Sequence, residues 1–264
     1  MKLLIANKKH ATAFVSIFNN LSKFSDAINI NFTLDHMYIQ GMDNSHCSLF
    51  EIKIMSDWFE SYECNEAITI GITPAILYRV LNTRDENQLI FLECGKDDCK
   101  LQINFKNLKP DQKDFPKEFE IPLIDLEIDT LQIPDGEYDM EVKMPIKSFS
   151  NVVDQLCIFG DNMSIDITDT PEMNLSSEGH EGKMTVNILN FDHNFIDEYS
   201  MTSETTMNLQ FSLKYIHMFT QFSKVNKDVT IKLSENIPME VYFTMEDSDD
   251  SYARFFLAPR IDDN

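Results

Sequence analysis

Cys94 and Cys99 are the residues whose type and spacing come nearest to those of a metal site in this sequence. A structural zinc site needs four ligands, and no second pair of cysteines or histidines stands at a spacing that would complete it. The two thiols bracket Gly95–Asp98, with apolar residues on both sides of this short polar stretch. This pattern favours a β-hairpin turn, and we predict neither a metal ion nor a cofactor.

The 44 acidic residues could in principle supply a metal-dependent nuclease with carboxylate ligands. They are scattered over predicted turns, whereas a catalytic site needs its carboxylates to converge. The sequence also lacks a phosphate-binding glycine-rich loop, an HExxH motif and a Gly-x-Ser-x-Gly motif. We therefore expect a protein that is not an enzyme, and an acidic metal-dependent nuclease is the less favoured alternative.

The net charge of −22 opposes contact with phosphate groups unless basic residues are concentrated locally. With 264 residues, 43% of them hydrophobic, the chain can bury a core without covalent cross-links. Its five cysteines have no disulfide-framework spacing, which is typical of reduced thiols. The first nine residues are too weakly apolar for a signal peptide, and no apolar run reaches membrane-spanning length, so we expect an intracellular soluble protein.

Basic residues stand in four segments with the apolar spacing of amphipathic helices, namely 12–23, 73–84, 147–158 and 213–224. Together these segments hold 48 residues, and proportionate placement would give them eight of the 44 acidic residues, yet only Asp154 occurs there. Because charges are screened over about 8 Å, a distant acidic surface need not cancel them. The helices could simply be solvated, but the scarcity of acids favours sequence-independent contact with phosphates. The basic residues are Lys23, Arg79, Arg84, Lys147, Lys214 and Lys224.

The segment Phe14–Ile30 aligns without gaps on Phe149–Ile165, an offset of 135 residues or about half of the chain. Both copies begin with apolar residues at i, i+3, i+4 and i+7 and then change to a period of two. Each half therefore starts with a helix followed by a strand, and a second helix is predicted midway through each half. We predict an α+β protein of two similar domains, each with two helices packed on an antiparallel sheet.

Residues 121–136 interleave acidic and aliphatic side chains and contain two prolines, which is typical of an extended connector. The predicted domains are residues 1–120 and 137–264, although an ordinary edge strand and linker would also fit. The connector has more apolar residues than an exposed linker needs. Its own domain or a partner should therefore cover it.

Three short motifs lie at Gly41–Leu49 (GMDNSHCSL), Leu131–Pro134 (LQIP) and Phe255–Ile261 (FFLAPRI), and Met144–Pro145 precedes the third predicted helix. These residues resemble MDSSHVSL, LGIP, YYLAPKI and a matching Met-Pro in the proliferating cell nuclear antigen family of DNA sliding clamps, and the resemblance covers essentially the whole chain. It implies the clamp fold closed into a homotrimeric ring, with helices lining the hole and sheets outside. Such a ring encircles duplex DNA and makes DNA polymerase processive in replication and repair.

The resemblance also implies a groove in which DNA polymerase, the clamp loader, ligase and nucleases dock short apolar peptide motifs. Subunits should join by pairing the strand near 113–121 with the strand near 182–186 of a neighbour. The expected location is the nucleus, or the replication site of a large DNA virus. Leu49 and Leu257 could instead be core residues, and His46 could be an ordinary loop histidine. The groove residues carried over are Met42, His46, Cys47, Leu49, Leu131, Ile133, Pro238, Phe256, Leu257, Ala258, Pro259 and Ile261.

The sequence departs from the family pattern at three places. The first predicted helix keeps only Lys23, with Lys8 and Lys9 just before it, which puts tight DNA contact there in doubt. Asp169 stands where the family has a ubiquitin-acceptor lysine, and Phe256 replaces a tyrosine. A subunit of a checkpoint-type heterotrimeric clamp would share the fold without self-assembling, and it is the alternative function.

Overall fold

The structure is a computed structural model that describes residues 1–109, 114–127, 131–133, 136–168, 172–188, 196–202, 206–245 and 248–260. Asp169 and Ile261 lie outside the described residues. No helix in these ranges combines the length and hydropathy of a membrane span. The chain divides into two compact units, each described by itself below. Unit 1 comprises Met1–Asn44, Phe50–Leu131 and Thr244–Ala253, and unit 2 comprises Ser45–Leu49, Gln132–Phe243 and the C-terminal segment from Arg254.

Unit 1 has two helices, α1 (Lys8–Phe24) and α2 (Pro74–Leu81), which pack against each other. Its strands pair antiparallel and follow the orders β5-β1-β7-β8-β9 and β4-β3-β2-β6. The strands are β1 (Lys2–Ile5), β2 (Ile28–Phe32), β3 (His36–Met42), β4 (Ser48–Met55, in unit 1 from Phe50), β5 (Ser61–Glu63), β6 (Ile68–Ile72), β7 (Gln88–Glu93), β8 (Lys100–Asn107) and β9 (Lys117–Pro122).

The start of α1 is fixed by Asn7, whose side-chain oxygen accepts hydrogen bonds from the backbone N–H groups of Lys9 and His10 at 2.8 and 3.4 Å. The helix therefore begins four residues before the predicted segment, and it includes Lys8 and Lys9. Its predicted apolar residues are all buried in the core, and Pro74 opens α2 in its first turn, as proline can. The helical spacing in this half is confirmed.

Unit 2 has helices α3 (Ile146–Leu156) and α4 (Leu213–Thr220), which also pack together, and a 3₁₀ turn, Gln221–Lys224, continues α4. Its strand orders are β14-β10-β16-β17-β18 and β13-β12-β11-β15. The α+β prediction of two similar domains is confirmed. The strands are β10 (Met140–Pro145), β11 (Asn162–Ile167), β12 (Met173–Gly179), β13 (Gly182–Asn187), β14 (Glu198–Met201), β15 (Met207–Ser212), β16 (Asp228–Leu233), β17 (Met239–Met245, in unit 2 to Phe243) and β18 (Ser248–Leu257, in unit 2 from Arg254).

The described part of the connector is held on unit 1 by hydrogen bonds to three strands. The N–H of Ile124 donates to the carbonyl of Gly71 on β6 at 2.8 Å, and the side chain of Asn29 on β2 donates to the carbonyl of Leu126 at 3.2 Å. On β3, the Gln40 amide group donates to the carbonyl of Leu131 at 2.8 Å and accepts from its N–H at 2.7 Å. Since β6, β2 and β3 are sheet neighbours in that order, the connector is anchored successively across them.

We predict that Gly71→Ala destabilises unit 1 by about 1–3 kcal/mol, the usual range for an overpacked site. A Cβ at this position would lie 2.1 Å from the carbonyl oxygen of Ile124, so the connector backbone must shift. Chemical denaturation measures the free energy of unfolding. The control is Gly136→Ala, where the nearest atom is 3.5 Å away and a change below about 0.5 kcal/mol is expected. Equal effects of the two substitutions would contradict this role of Gly71.

Candidate DNA-facing and partner-binding surfaces

In unit 1, two of the three predicted phosphate-contacting residues are exposed on the helices. Lys23 lies in the last turn of α1, and Arg79 lies on α2. Arg84 differs, because it is half-buried and its Nη1 donates to the carbonyls of Asp85, Glu86 and Gln88 at 3.2, 2.9 and 3.0 Å. Burial lowers the pKa of this guanidinium, which nevertheless stays charged. The Arg84 side chain therefore stabilises the turn that leads into β7.

In unit 2, Lys147, Lys214 and Lys224 are all exposed, on α3, α4 and the 3₁₀ turn respectively. The Lys214 ammonium lies 5.4 Å from the centroid of the Tyr215 ring. His217 stands three residues after Lys214 on α4, and both are exposed, so they share a helical face that precedes Lys224 in the 3₁₀ turn. Counting only lysines and arginines missed His217, although its spacing could have revealed it.

Two edge strands, β9 in unit 1 and β13 in unit 2, are the strands predicted to pair between subunits. Among the described strands, β9 and β13 each end their sheet, so each has one edge without a paired strand. On the core-facing side, Phe119 stands across from Ile103, and Val186 stands across from Leu175. Phe119, Val186 and Met184 remain half-exposed because nothing in the described chain covers them from the open edge.

Two of the predicted groove residues lie in unit 1, where Met42 is half-buried at the end of β3 and Leu131 is exposed. Leu131 keeps 43% of its surface although its backbone is hydrogen-bonded to Gln40. The backbone of Leu131 is therefore held in place while its side chain remains accessible to solvent.

In unit 2, the part of the Gly41–Leu49 motif around His46 and Cys47 contacts the C-terminal segment. The N–H of Ala258 donates to the carbonyl of Cys47 at 3.2 Å, and both residues are exposed. His46 has a φ of 55°, in the left-handed region that histidine enters more readily than most residues. Leu49, Ile133 and Pro259 are half-buried, and Pro238 is exposed.

Phe256 is half-buried on β18, and the Arg254 guanidinium lies 5.3 Å from its ring centroid. The buried Glu240 carboxylate lies 3.8 Å from Arg254 and 3.4 Å from Lys232. Burial, reinforced by Glu240, raises the pKa of Tyr138 to about 12, and its hydroxyl donates to the carbonyl of Pro238 at 3.2 Å. This cluster fixes the surroundings of Phe256 and Pro238.

Leu257 has only 1% of its surface exposed, so its side chain belongs to the core. Beyond it, the N–H of Arg260 donates to the carbonyl of Gln210 at 2.7 Å, and the Arg260 guanidinium donates to Asn162 at 2.6 Å. The C-terminal segment is thus fixed to β15 and β11 as far as the structure describes it.

Cys94 and Cys99 bracket the turn between the antiparallel strands β7 and β8, which confirms the hairpin prediction. Cys94 is buried and burial raises its pKa, whereas Cys99 is exposed. Among the described residues, no group of three or more histidine, cysteine or acidic side chains could hold a metal ion.

Two family models together match nearly the whole chain. The model described as proliferating cell nuclear antigen, N-terminal domain, matches residues 3–131, and the model of its C-terminal domain matches residues 132–260. The chain belongs to the proliferating cell nuclear antigen family. Membership makes the protein a sliding clamp for DNA replication and a processivity factor, and members of this family are non-enzymatic clamps. The checkpoint-type alternative and the nuclease are not favoured.

Curated relatives in the proliferating cell nuclear antigen family match over almost their full length. Proliferating cell nuclear antigen 2 of Plasmodium falciparum (isolate 3D7) is 29% identical over 258 residues, covering 95% of this chain and 96% of the relative. Proliferating cell nuclear antigen 1 of Plasmodium falciparum (isolate K1 / Thailand) is 26% identical over 273 residues, covering 99% and 98%. Members of the family generally have DNA and replication proteins as partners, which agrees with a role in the nucleus.

Proposed function

We propose that three copies of this chain close into a ring around duplex DNA, with β9 of each copy paired to β13 of the next. The observation that carries the proposal is that β9 and β13, edge strands of separate units, both keep apolar side chains half-exposed. An open edge presents unpaired backbone N–H and C=O groups that template the addition of a strand. Because the two edges differ, contact between them is head-to-tail and can close by rotation.

The side chains on the two edges support this pairing. Joining β9 to β13 would place the half-exposed Phe119 of one copy beside Met184 and Val186 of the next, continuing the apolar side of both sheets. On the opposite side, β9 carries Glu118 and Glu120, and β13 carries Lys183 and Thr185. Apolar residues would meet apolar residues, and acidic residues would meet a lysine or a threonine.

DNA contact is assigned to exposed basic residues in segments that contain only one acidic residue. These residues are Lys23, Arg79, Lys147, Lys214 and Lys224. Arg84 is expected to contribute less to DNA contact because its guanidinium already donates hydrogen bonds to three backbone carbonyls. A ring stays on DNA by topology, so these contacts can be few and mobile. They are expected to depend on salt and not on base sequence.

Partner peptides are proposed to bind the exposed and half-buried members of the predicted groove set, with Leu257 removed because its side chain is in the core. The firm anchoring of the C-terminal segment and the accessible Leu131 support this assignment. DNA polymerase, the clamp loader, ligase and nucleases are the proposed partners. Their place of action is the nucleus or a viral replication site.

The decisive experiment is a primer-extension assay with the cognate polymerase and clamp loader on circular DNA. Addition of the protein should lengthen products by an order of magnitude or more in single binding events, because each ring retains its polymerase. On linear DNA with free ends the stimulation should fall, since a topologically bound ring slides off. Equal products with and without the protein on circular DNA would remove the processivity role.

A further inference from the structure

The exposed faces of the two unit-2 helices each carry a row of polar side chains. On α3 the row is Lys147, Asn151 and Asp154, with spacings of four and three residues. On α4 it runs from Lys214 to His217 and continues to Lys224 in the 3₁₀ turn. Asp154, the one acidic residue of the predicted helical segments, thus lies on the face that we assign to DNA.

Asp154 and His217 join the two rows. The His217 Nδ1 lies 3.0 Å from Asp154 Oδ1, and the two side chains keep 48% and 52% of their surfaces exposed. An ionised carboxylate can only accept a hydrogen bond, so the proton of this pair belongs on Nδ1. Nε2 is then the nitrogen that gains or loses a proton.

The protonation state of Nε2 decides how His217 meets a phosphate group. A neutral ring presents a lone pair at Nε2, which repels a phosphate oxygen. A protonated ring presents a second N–H, which can donate to that oxygen while Nδ1–H still donates to Asp154. The carboxylate and the phosphate would then both stabilise the same cation.

Charged groups also lie on the described elements that pack against α3 and α4, among them Glu141 and Lys143 on β10. The same two helices carry Lys147 and Lys214, and Lys224 follows in the 3₁₀ turn. Burial, with Asp154 and Asp161, raises the pKa of the Cys157 thiol, which keeps it neutral. Strands β11 and β15 pack against α4, and their one ionisable residue, Asp166, accepts a hydrogen bond from Asn208.

We propose that His217 is a further phosphate-contacting residue of the clamp and that Asp154 positions its ring, so that DNA binding is coupled to proton uptake at Nε2. The proposal rests on the proposed placement of these helices against DNA. The phosphate favours the protonated ring, so the bound state holds more protons than the free state. Affinity for DNA is therefore higher at low pH and falls as pH rises, by at most about tenfold per pH unit for one proton.

The test is equilibrium binding of a short fluorescent duplex to the full chain at low salt, followed across about pH 5.5 to 8.5. For the unmodified protein we expect affinity to fall roughly tenfold over this range. His217→Gln should bind as weakly at low pH as the unmodified protein does at high pH, without the transition. Asp154→Asn should bind more tightly at high pH because a negative charge is removed, and its transition should be smaller because the carboxylate no longer orients the ring.

The matched control is Lys214→Gln, on the same helix face, which should weaken binding at every pH and keep the transition. Native mass and circular dichroism of each variant verify assembly and folding. A His217→Gln protein that keeps the transition of the unmodified protein would overturn the proposal, and a transition of unchanged size in Asp154→Asn would remove the positioning role. If Lys147→Gln and Lys214→Gln also leave binding unchanged, the DNA-facing assignment fails as well.

Discussion

Val186→Lys is expected to leave the protein folded and to convert the proposed trimer into monomers. Val186 is half-exposed on the apolar side of the open β13 edge, where it would pack beside Phe119 of the neighbouring copy. In a monomer the new ammonium reaches water, but in the ring it would be buried without a partner. Such a charge weakens association by at least about a hundredfold. Native mass spectrometry should show the 30.6 kDa chain in place of three times that mass.

The matched control for this prediction is Thr185→Lys, which puts the same side chain on the opposite, exposed side of the same strand. There it would lie near Glu118 and Glu120 of a neighbour, and the trimer should persist. A trimeric Val186→Lys protein would exclude β13 as the subunit edge. An unmodified chain that stays monomeric until mixed with other clamp subunits would revive the heterotrimeric alternative.

Ile133→Ala is expected to weaken binding of a clamp-interacting peptide by roughly five- to thirtyfold while the ring remains intact. The substitution removes apolar surface that a docked peptide would cover, which contributes about 1–2 kcal/mol. Ile133 is half-buried near the C-terminal end of the described connector. Fluorescence polarisation of a labelled peptide from the cognate polymerase measures the affinity, and native mass measures assembly.

Ile124→Ala is the control for the connector. Ile124 keeps 37% of its surface and belongs to the same connector, but it is not among the predicted groove residues. Its replacement should leave peptide affinity within a factor of about two, as for ordinary surface substitutions. If both isoleucines matter equally, the connector acts as a whole and Ile133 has no special place in the groove. If neither matters, peptides bind elsewhere.

The helices were predictable because their apolar spacing is a local property of the sequence, and the duplication showed it twice. The exact ends of the helices were harder to predict from the sequence. The predicted segment for the first helix starts at residue 12. In the structure, Asn7 caps the helix, so Lys8 and Lys9 belong to it. The fourth helix is α-helical only as far as Thr220, and the rest of its predicted segment, to Lys224, forms a 3₁₀ turn.

Individual site residues were harder to predict, because their roles depend on neighbours that the spacing does not reveal. Arg84 has the charge of a phosphate-binding residue, but three carbonyls of the following turn engage it. Phe256 and Leu257 belong to one motif, yet successive side chains of a strand point to opposite faces. Leu257 therefore enters the core while Phe256 stays half-exposed. The assignment of DNA-facing and groove residues remains a prediction.

If the ring closes through β9 and β13 as proposed, an altered subunit would interfere with normal subunits in a mixed population. A Val186→Lys chain would keep an intact β9, so it could still attach to a normal copy and block the next addition. If half of the chains carried the change and met at random, roughly one set of three chains in eight would lack it and could close. Such a mixture would thus lose far more than half of its closed rings, whereas a chain that merely failed to fold would remove only its own share.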